Sequence, residues 1–148
     1  MKYKFRLQKL LDMRIDREDE SKVEFQKAQS ERLKVKEKLD QLEEKYDEYK
    51  NRPLPVSAME QKITHIYINT LGLNIDETSR KLAVKEKIVS GKREKLKQRQ
   101  IDRKTVETLK DKGYRNFIKE QNKLEQKLND EFALHSFIRN LRQGNDLT

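Results

Sequence analysis

The segment NRPLPVS, residues 51–57, contains both prolines of this 148-residue chain and separates two long stretches of helix-favouring sequence. Proline has no backbone N–H to donate and disfavours helix at the residue before it, so we expect a first helix over about residues 3–52. Ser57 followed by Glu60 has the spacing of a capping box, which predicts that a new helix begins at about residue 57.

The first predicted helix has apolar residues at alternating steps of three and four, the pattern of a coiled-coil seam. Four polar residues interrupt that pattern: Arg14, Glu18, Ser21 and Arg32. The seam is otherwise formed by Leu7, Leu11, Phe25, Ala28, Val35, Leu39, Leu42, Tyr46 and Tyr49. One face of this helix therefore needs a helical partner.

Gly72 has the position of a helix-terminating glycine, and we expect a short second helix over about 57–71. Its predicted apolar face consists of Met59, Ile63, Ile66, Tyr67 and Leu71. A third helix over about 75–142 has apolar residues at intervals of seven, interrupted by polar ones. These are Ile75, Leu82, Val89, Leu96, Phe117, Leu124 and Ile138. Residues 143–148 are expected to fray.

The third predicted helix is about as long as the first two laid end to end, at about 1.5 Å per residue. A turn near Gly72 would then fold it back antiparallel, with facing residue numbers adding up to about 145. In this register Leu7 meets Ile138, Leu11 meets Leu134, Phe25 lies near Phe117 and Leu39 faces Val106. The predicted fold is all-α, a single elongated domain formed by a long two-stranded antiparallel coiled coil, or helical hairpin, whose first strand is broken at Pro53 and Pro55.

The composition agrees with a long helical pair, since 33% of the residues are hydrophobic and 41% are charged. The chain has no cysteine and no apolar run long enough to span a membrane. His65 and His135 are far apart in sequence and have no metal-ligand spacing around them. Nucleotide-binding glycine loops and a serine elbow are absent too, so we expect no catalytic residue, metal or cofactor.

Two sets of side chains suggest partner binding. A basic patch follows residue 91, and we expect the acidic residues between Glu37 and Glu48 to face part of it, leaving a basic excess for an acidic partner. The patch comprises Lys92, Arg93, Lys95, Lys97, Arg99, Arg103 and Lys104. Tyr46, Tyr49 and Tyr67 gather around the proline break, either closing the core or forming a recognition surface.

Three segments resemble the flagellar export protein family FliJ. They are Phe5-Arg6-Leu7-Gln8-Lys9-Leu10-Leu11-Asp12-Met13-Arg14, Tyr46-Asp47-Glu48-Tyr49, and Tyr67-Ile68-Asn69-Thr70-Leu71. Size, basicity and helical layout are similar over essentially the whole chain. The resemblance implies a non-catalytic central stalk that binds the hexameric flagellar export ATPase and the cytoplasmic domain of the membrane export gate. It places the chain in the cytoplasm, peripheral to the inner face of the cell membrane.

The resemblance also implies where those partners bind. The ATPase would contact the paired chain ends, at Phe5, Leu7, Leu11, Leu134, Ile138 and Leu141. The export gate would contact Leu42, Tyr46, Tyr49, Tyr67 and Leu71. Family members also bind export chaperones, for which no residues are assigned.

Three other functions are compatible with the sequence. The first is the equivalent stalk of a virulence type III secretion system. The second is a helical hairpin that holds nucleic acid with its basic patch, although nucleic acid is not expected because no aromatic residues interleave with the lysines and arginines. The third is a homodimeric coiled-coil scaffold.

Overall fold

A computed structural model describes residues 1–145, and all of its regular structure lies in two α-helices: α1 (Gln8–Asn51, 44 residues) and α2 (Ala58–Asn145, 88 residues). The two helices pack together, which confirms the predicted all-α helical hairpin. Helix α1 begins five residues later than predicted. Of the predicted frayed tail, residues 143–145 belong to α2 and residues 146–148 lie outside the described part.

The chain reverses direction at the proline segment, where the sequence predicts a break. Helix α2 begins at Ala58, directly after Ser57, whose carbonyl accepts a hydrogen bond from the Gln61 amide at 3.0 Å. The Gln61 side chain donates a second bond, of 2.7 Å, to the carbonyl of Pro55. These bonds hold the first turn of α2 against the loop.

The predicted helix end at Gly72 is wrong, because α2 runs without interruption from Ala58 to Asn145. A glycine inside a helix costs only about 1 kcal/mol relative to alanine, whereas a proline costs about 3 kcal/mol. Packing of the seam residues on both sides of Gly72 offsets the smaller free-energy cost of the glycine. The turn therefore lies at the prolines, and the predicted helices 57–71 and 75–142 are one element.

One compact unit, called here the hairpin unit, comprises residues Arg14–Asp102. Its two helices are antiparallel, and facing residues have numbers that add up to 116 or slightly more. Examples are Tyr49 with Tyr67, Glu31 with Lys85, and Glu24 with Lys92. The predicted sum of about 145 is wrong, and so are the four apolar pairs derived from it, because moving the turn from Gly72 to the prolines shifts the register.

The residues of the hairpin seam recur along α1 at the predicted spacing of three and four. The polar residues that interrupt the apolar pattern also belong to this seam. Glu18 and Ser21 are buried, and Arg14 Nη1 donates a 2.7 Å hydrogen bond to the carbonyl of Asp102 on α2. The buried apolar residues of this unit are Ala28, Leu39, Leu71 and Val89. Polar seam residues are known to specify register in coiled coils, at a cost in stability.

The face predicted for the second helix is mostly on the solvent side. Met59, Ile63 and Ile66 are between 57% and 76% exposed, and Leu71 alone of the predicted set is buried. The seam of α2 instead passes through Ile68, Leu71, Ile75 and Thr78, which are buried or half-buried. Extending the seven-residue repeat of Ile75 back to Ile68 would have indicated that one helix crosses Gly72.

The second compact unit, called the terminal unit, comprises Met1–Met13 and α2 from Arg103 onward. The ring of Tyr3 contacts the rings of Tyr114 and Phe117, each at a centroid distance of 5.7 Å. Its hydroxyl lies 3.5 Å from the carbonyl oxygen of Lys110. Leu11 and Val106 form the buried part of this unit, with exposed fractions of 4% and 2%.

From Asn122 to Asn145 every residue of α2 is exposed. This part of the helix carries large apolar side chains without a helical partner among the described residues. We refer to them as the C-terminal apolar face: Leu124, Leu128, Phe132, Leu134, Phe137, Ile138 and Leu141.

Candidate binding surfaces

The tyrosines near the turn lie together, as predicted. The rings of Tyr49 and Tyr67 meet edge to face at 4.7 Å, and the guanidinium of Arg52 lies 4.4 Å from the centre of the Tyr49 ring. Arg52 also pairs with Glu48, and its hydrogen bond to that carboxylate raises the pKa of the guanidinium. Tyr67 remains 38% exposed. This arrangement packs the two rings against each other and leaves part of their surface open to solvent.

The five residues predicted to bind an export gate differ in accessibility. Leu71 is buried, with 4% of its surface exposed, and it belongs to the seam. Leu42, Tyr46 and Tyr49 are half-buried, and Tyr67 is exposed. The structure therefore brings the five residues to the turn end of the hairpin unit, but a partner would reach the tyrosines and Leu42 more readily than Leu71.

Two openings flank these tyrosines. The turn pocket, of about 520 Å³, is lined by Tyr46, Tyr49, Lys50, Arg52, Pro53, Leu54, Pro55, Thr64, His65, Ile68 and Asn69. The acidic groove, of about 630 Å³, is lined by Glu43, Tyr46, Asp47, Ile68, Asn69, Gly72, Leu73, Ile75 and Asp76. Sequence reasoning missed the groove because it placed a helix end at Gly72, whereas Gly72 is part of the groove wall.

The predicted pairing of the acidic end of α1 with the basic patch is wrong. Glu43 and Asp47 lie beside Asp76 and not beside the lysines of the patch. The carboxylate that faces the patch is Glu24, which lies 3.1 Å from Lys92 Nζ and 3.3 Å from Lys95 Nζ. The shift in register explains the difference.

Several cations of the basic patch have partners within the chain. The hydrogen bonds from Lys92 and Lys95 lower the pKa of Glu24, and the bond from Lys92 has the larger effect. Arg93 lies over the ring of Phe25 at 5.7 Å, and Arg103 pairs with Glu107 at 2.6 Å. Lys97 and Lys104 are exposed, and Arg99 is half-buried. Four of the seven predicted members thus contact residues of this chain, which reduces the charge left for a partner.

A second ion pair nearer the turn strengthens the same interface. Lys85 Nζ lies 3.1 Å from Glu31, and this hydrogen bond lowers the pKa of the Glu31 carboxyl. Arg32 lies 3.9 Å from Glu86, while its buried Nε has no hydrogen-bond partner among residues 1–145. These pairs fix which turn of α2 faces which turn of α1.

The residues predicted to contact an ATPase fall into two separate sets. Leu11 is buried and Phe5 is half-buried, whereas Leu134, Ile138 and Leu141 are 57%, 38% and 55% exposed. Tyr3 packs beside Gly113 and Phe117, which precede Leu134 by about 32 Å and about 26 Å of helix at about 1.5 Å per residue. The structure does not bring the N-terminal residues to the C-terminal ones, because the N-terminal segment packs earlier on α2 than predicted.

Neither a metal-binding cluster nor a membrane-spanning helix is found within residues 1–145. This part of the chain has no group of three or more His, Asp or Glu side chains arranged to hold a metal ion. No helix in it combines the length and apolarity needed to span a bilayer. The surfaces described above are open and lined by apolar, aromatic and charged side chains, which is typical of contacts between proteins.

These observations define the class as an all-α protein with a helical hairpin and with open surfaces of apolar, aromatic and charged side chains. Comparison with known proteins identifies the family. The profile described as Flagellar FliJ protein matches residues 2–142, and the chain belongs to that family. The chain is similar to the flagellar FliJ protein of Bacillus subtilis (strain 168), with 27% identity over 143 residues, covering 93% of this chain and 97% of the relative. No solved structure matches the chain.

Proposed function

We propose that this protein is a non-catalytic coupling stalk of the flagellar type III export apparatus, in contact with the hexameric export ATPase and with the cytoplasmic domain of the export gate. The observation that carries the proposal is that two exposed sets of side chains are formed by different residues, the C-terminal apolar face in the terminal unit and the tyrosines at the turn of the hairpin unit. One protein can contact two partners when different residues form the two surfaces. Export chaperones are further candidate partners. The protein would then be cytoplasmic and would reach the membrane through its partners.

The ATPase-binding surface in this proposal is the C-terminal apolar face. Leu134, Ile138 and Leu141 are exposed there, and α1 does not cover them. Large aliphatic side chains left open to water on a helix are a common feature of helix-in-groove recognition. Leu11 is not part of this surface, because its side chain is buried in the terminal unit.

The test is to replace all three residues by serine and measure binding to the cognate ATPase and stimulation of ATP hydrolysis. We expect both to fall at least about tenfold, since each buried aliphatic side chain is worth about 1.5–3 kcal/mol. A matched control replaces Val84, Ile88 and Ile101, which are 57%, 41% and 50% exposed on another part of α2. Equal loss in both variants, or no loss in the first, would contradict the assignment.

The gate-binding surface in this proposal is formed by Leu42, Tyr46, Tyr49 and Tyr67. We expect Tyr46→Ala with Tyr49→Ala to weaken binding of the purified gate domain while the helical circular dichroism signal stays within a few per cent. The control is Leu39→Ala, a change at a buried residue that should lower the melting temperature. Unfolding by the tyrosine variant would instead assign those rings to the core.

The family match favours a flagellar apparatus over a virulence secretion system. Nucleic-acid binding by the basic patch is disfavoured, because Lys92, Lys95 and Arg103 have carboxylate partners within the chain. Such binding would show a log affinity that falls steeply with log salt concentration. Absence of binding at low salt would exclude it.

A further inference from the structure

Charge is distributed unevenly along the hairpin unit. Residues 37–48 of α1 contain six carboxylates against two lysines, and residues 63–79 of α2 contain two carboxylates and no lysine or arginine. Together these two segments, called here the acidic turn end, carry a net charge of −6 in a protein of net charge +9. The remainder of the chain therefore carries a net charge of +15, and the net charge of the acidic turn end has the opposite sign.

The acidic groove lies within this turn end and has an apolar interior. Tyr46, Ile68 and Ile75 are half-buried along it. Gly72 leaves the wall open, since a Cβ built there would have no atom within 4 Å. The groove therefore has room for the side chains of another protein segment on an apolar base.

Three carboxylates border the groove, two from α1 and one from α2: Glu43, Asp47 and Asp76. All three are exposed. None of them takes part in an ion pair or hydrogen bond between side chains within residues 1–145. The carboxylates of Glu24 and Glu31, by contrast, are held by lysines across the same interface.

We propose that the acidic groove binds a cationic amphipathic segment of a partner protein, with apolar side chains on Tyr46, Ile68 and Ile75 and lysine or arginine side chains at the three carboxylates. Complementary charge orients such a segment and speeds its association. The apolar base supplies the burial that surface ion pairs alone do not. The identity of the partner rests on the proposed function. The cationic and amphipathic character of the bound segment is inferred from the groove itself.

The test uses a fluorescein-labelled synthetic amphipathic peptide of leucine and lysine, and a second peptide in which glutamate replaces every lysine. Anisotropy is measured with the full-length protein at low and at physiological salt. We expect the lysine peptide to bind and the glutamate peptide not to bind. Comparable binding of both peptides, or of neither, would overturn the proposal.

The location of the peptide-binding site is tested with two variants that remove the same number of negative charges. Glu43→Gln with Asp47→Asn and Asp76→Asn neutralises the groove, and the control neutralises Asp16, Asp19 and Glu20, another exposed acidic set on α1. We expect about tenfold weaker binding of the lysine peptide in the groove variant, from three ion pairs of modest strength, and less than about twofold in the control. Equal weakening in both would indicate attraction to net charge and overturn the proposal.

Gly72→Arg provides a steric test, because it places a cation in the groove where the partner's cation would lie. Gly91→Arg is its control, since a Cβ at Gly91 also has no atom within 4 Å and the added charge is the same. We expect peptide binding to be lost in the first variant and retained within about twofold in the second, with equal helical content in both. Unchanged binding by Gly72→Arg would contradict the proposed site.

Measuring whether the gate domain binds this protein distinguishes failure of the groove proposal from failure of the proposed function. If the groove binds the lysine peptide but the gate domain does not bind the protein, the groove stands and the gate assignment fails. If the gate domain binds and the groove variants leave both interactions unchanged, the gate assignment stands and the groove proposal fails.

Discussion

At the scale of single residues, Gly91 and Gly113 differ in what surrounds them. A Cβ at Gly91 would meet no atom within 4 Å, whereas one at Gly113 would overlap the hydroxyl of Tyr3 and lie 3.2 Å from its Cζ. Both glycines lie inside α2. The sequence identifies both as weak helix formers, but only the packing of Tyr3 shows that one of them makes room for a side chain.

We expect Gly91→Ala to raise the free energy of unfolding by about 0.5–1 kcal/mol, because alanine loses less backbone entropy in a helix. Gly113→Ala should give a smaller gain or a loss, since it displaces Tyr3 from Phe117 and Tyr114. Urea unfolding measures the stability, and amide exchange of residues 1–7 measures the displacement. Equal gains in both variants with unchanged exchange would contradict the packing of Tyr3.

Glu24 makes the hairpin interface sensitive to pH. Its lowered pKa means that its pairing with Lys92 and Lys95 stabilises the fold above the ordinary pKa of a glutamate, about 4.5, and that this contribution is lost as pH falls through the lower folded value. We expect Glu24→Gln to lower the melting temperature at pH 7, with a difference that shrinks towards pH 3. Glu20→Gln is the control, and an undiminished difference at low pH would count against the ion pair.

At the scale of elements, the decisive comparison is between glycine and proline. Pro53 and Pro55 end α1 and form the turn, as their chemistry requires, while Gly72 remains inside α2. The predicted helix end at Gly72 failed because glycine permits a helix end but does not force one. The seam residues on both sides decide the outcome, since a break there would expose Leu71, Ile75 and Thr78.

Gly72→Pro should therefore destabilise the protein by about 3 kcal/mol or more, through a lost backbone hydrogen bond and a clash with the preceding turn. Gly72→Ala should stabilise it by up to about 1 kcal/mol. Thermal unfolding followed by circular dichroism measures both. A chain that tolerated the proline would have its turn at residue 72, contrary to the structure.

Helix α2 is twice as long as α1, and its last part depends on no other element among the described residues. Removing the residues after Gln121 should change the melting temperature of the remaining hairpin by no more than a few degrees, because every residue from Asn122 to Asn145 is exposed. The same truncation should abolish binding to the export ATPase under the proposed function. A large loss of stability would show that this segment packs against the rest of the protein.

At the scale of the whole molecule, the register of the two helices decides which residues meet at the candidate binding surfaces, and sequence motifs decide less. The tyrosines were identified from sequence because they lie on both sides of the prolines, within 12 residues of them, and a hairpin that turns at the prolines brings them together. The acidic groove was not identified, because Glu43 and Asp76 become neighbours only when α2 crosses Gly72. The same error in register paired Phe5, Leu7 and Leu11 with Leu134, Ile138 and Leu141, whereas the N-terminal segment packs on an earlier part of α2.

The sequence by itself determined the helical class, the end of α1 at the prolines, the apolar spacing of both helices and the resemblance to the FliJ family, but it placed the chain reversal near Gly72. Only the tertiary structure decided the register of the two helices and hence which charges pair. The physical reason is that a coiled-coil pattern repeats every seven residues, so that helices displaced by whole heptads still match apolar positions. The predicted and observed registers differ by about four such repeats. Polar contacts across the seam, such as Arg14 with the Asp102 carbonyl and Glu24 with Lys92, distinguish between them.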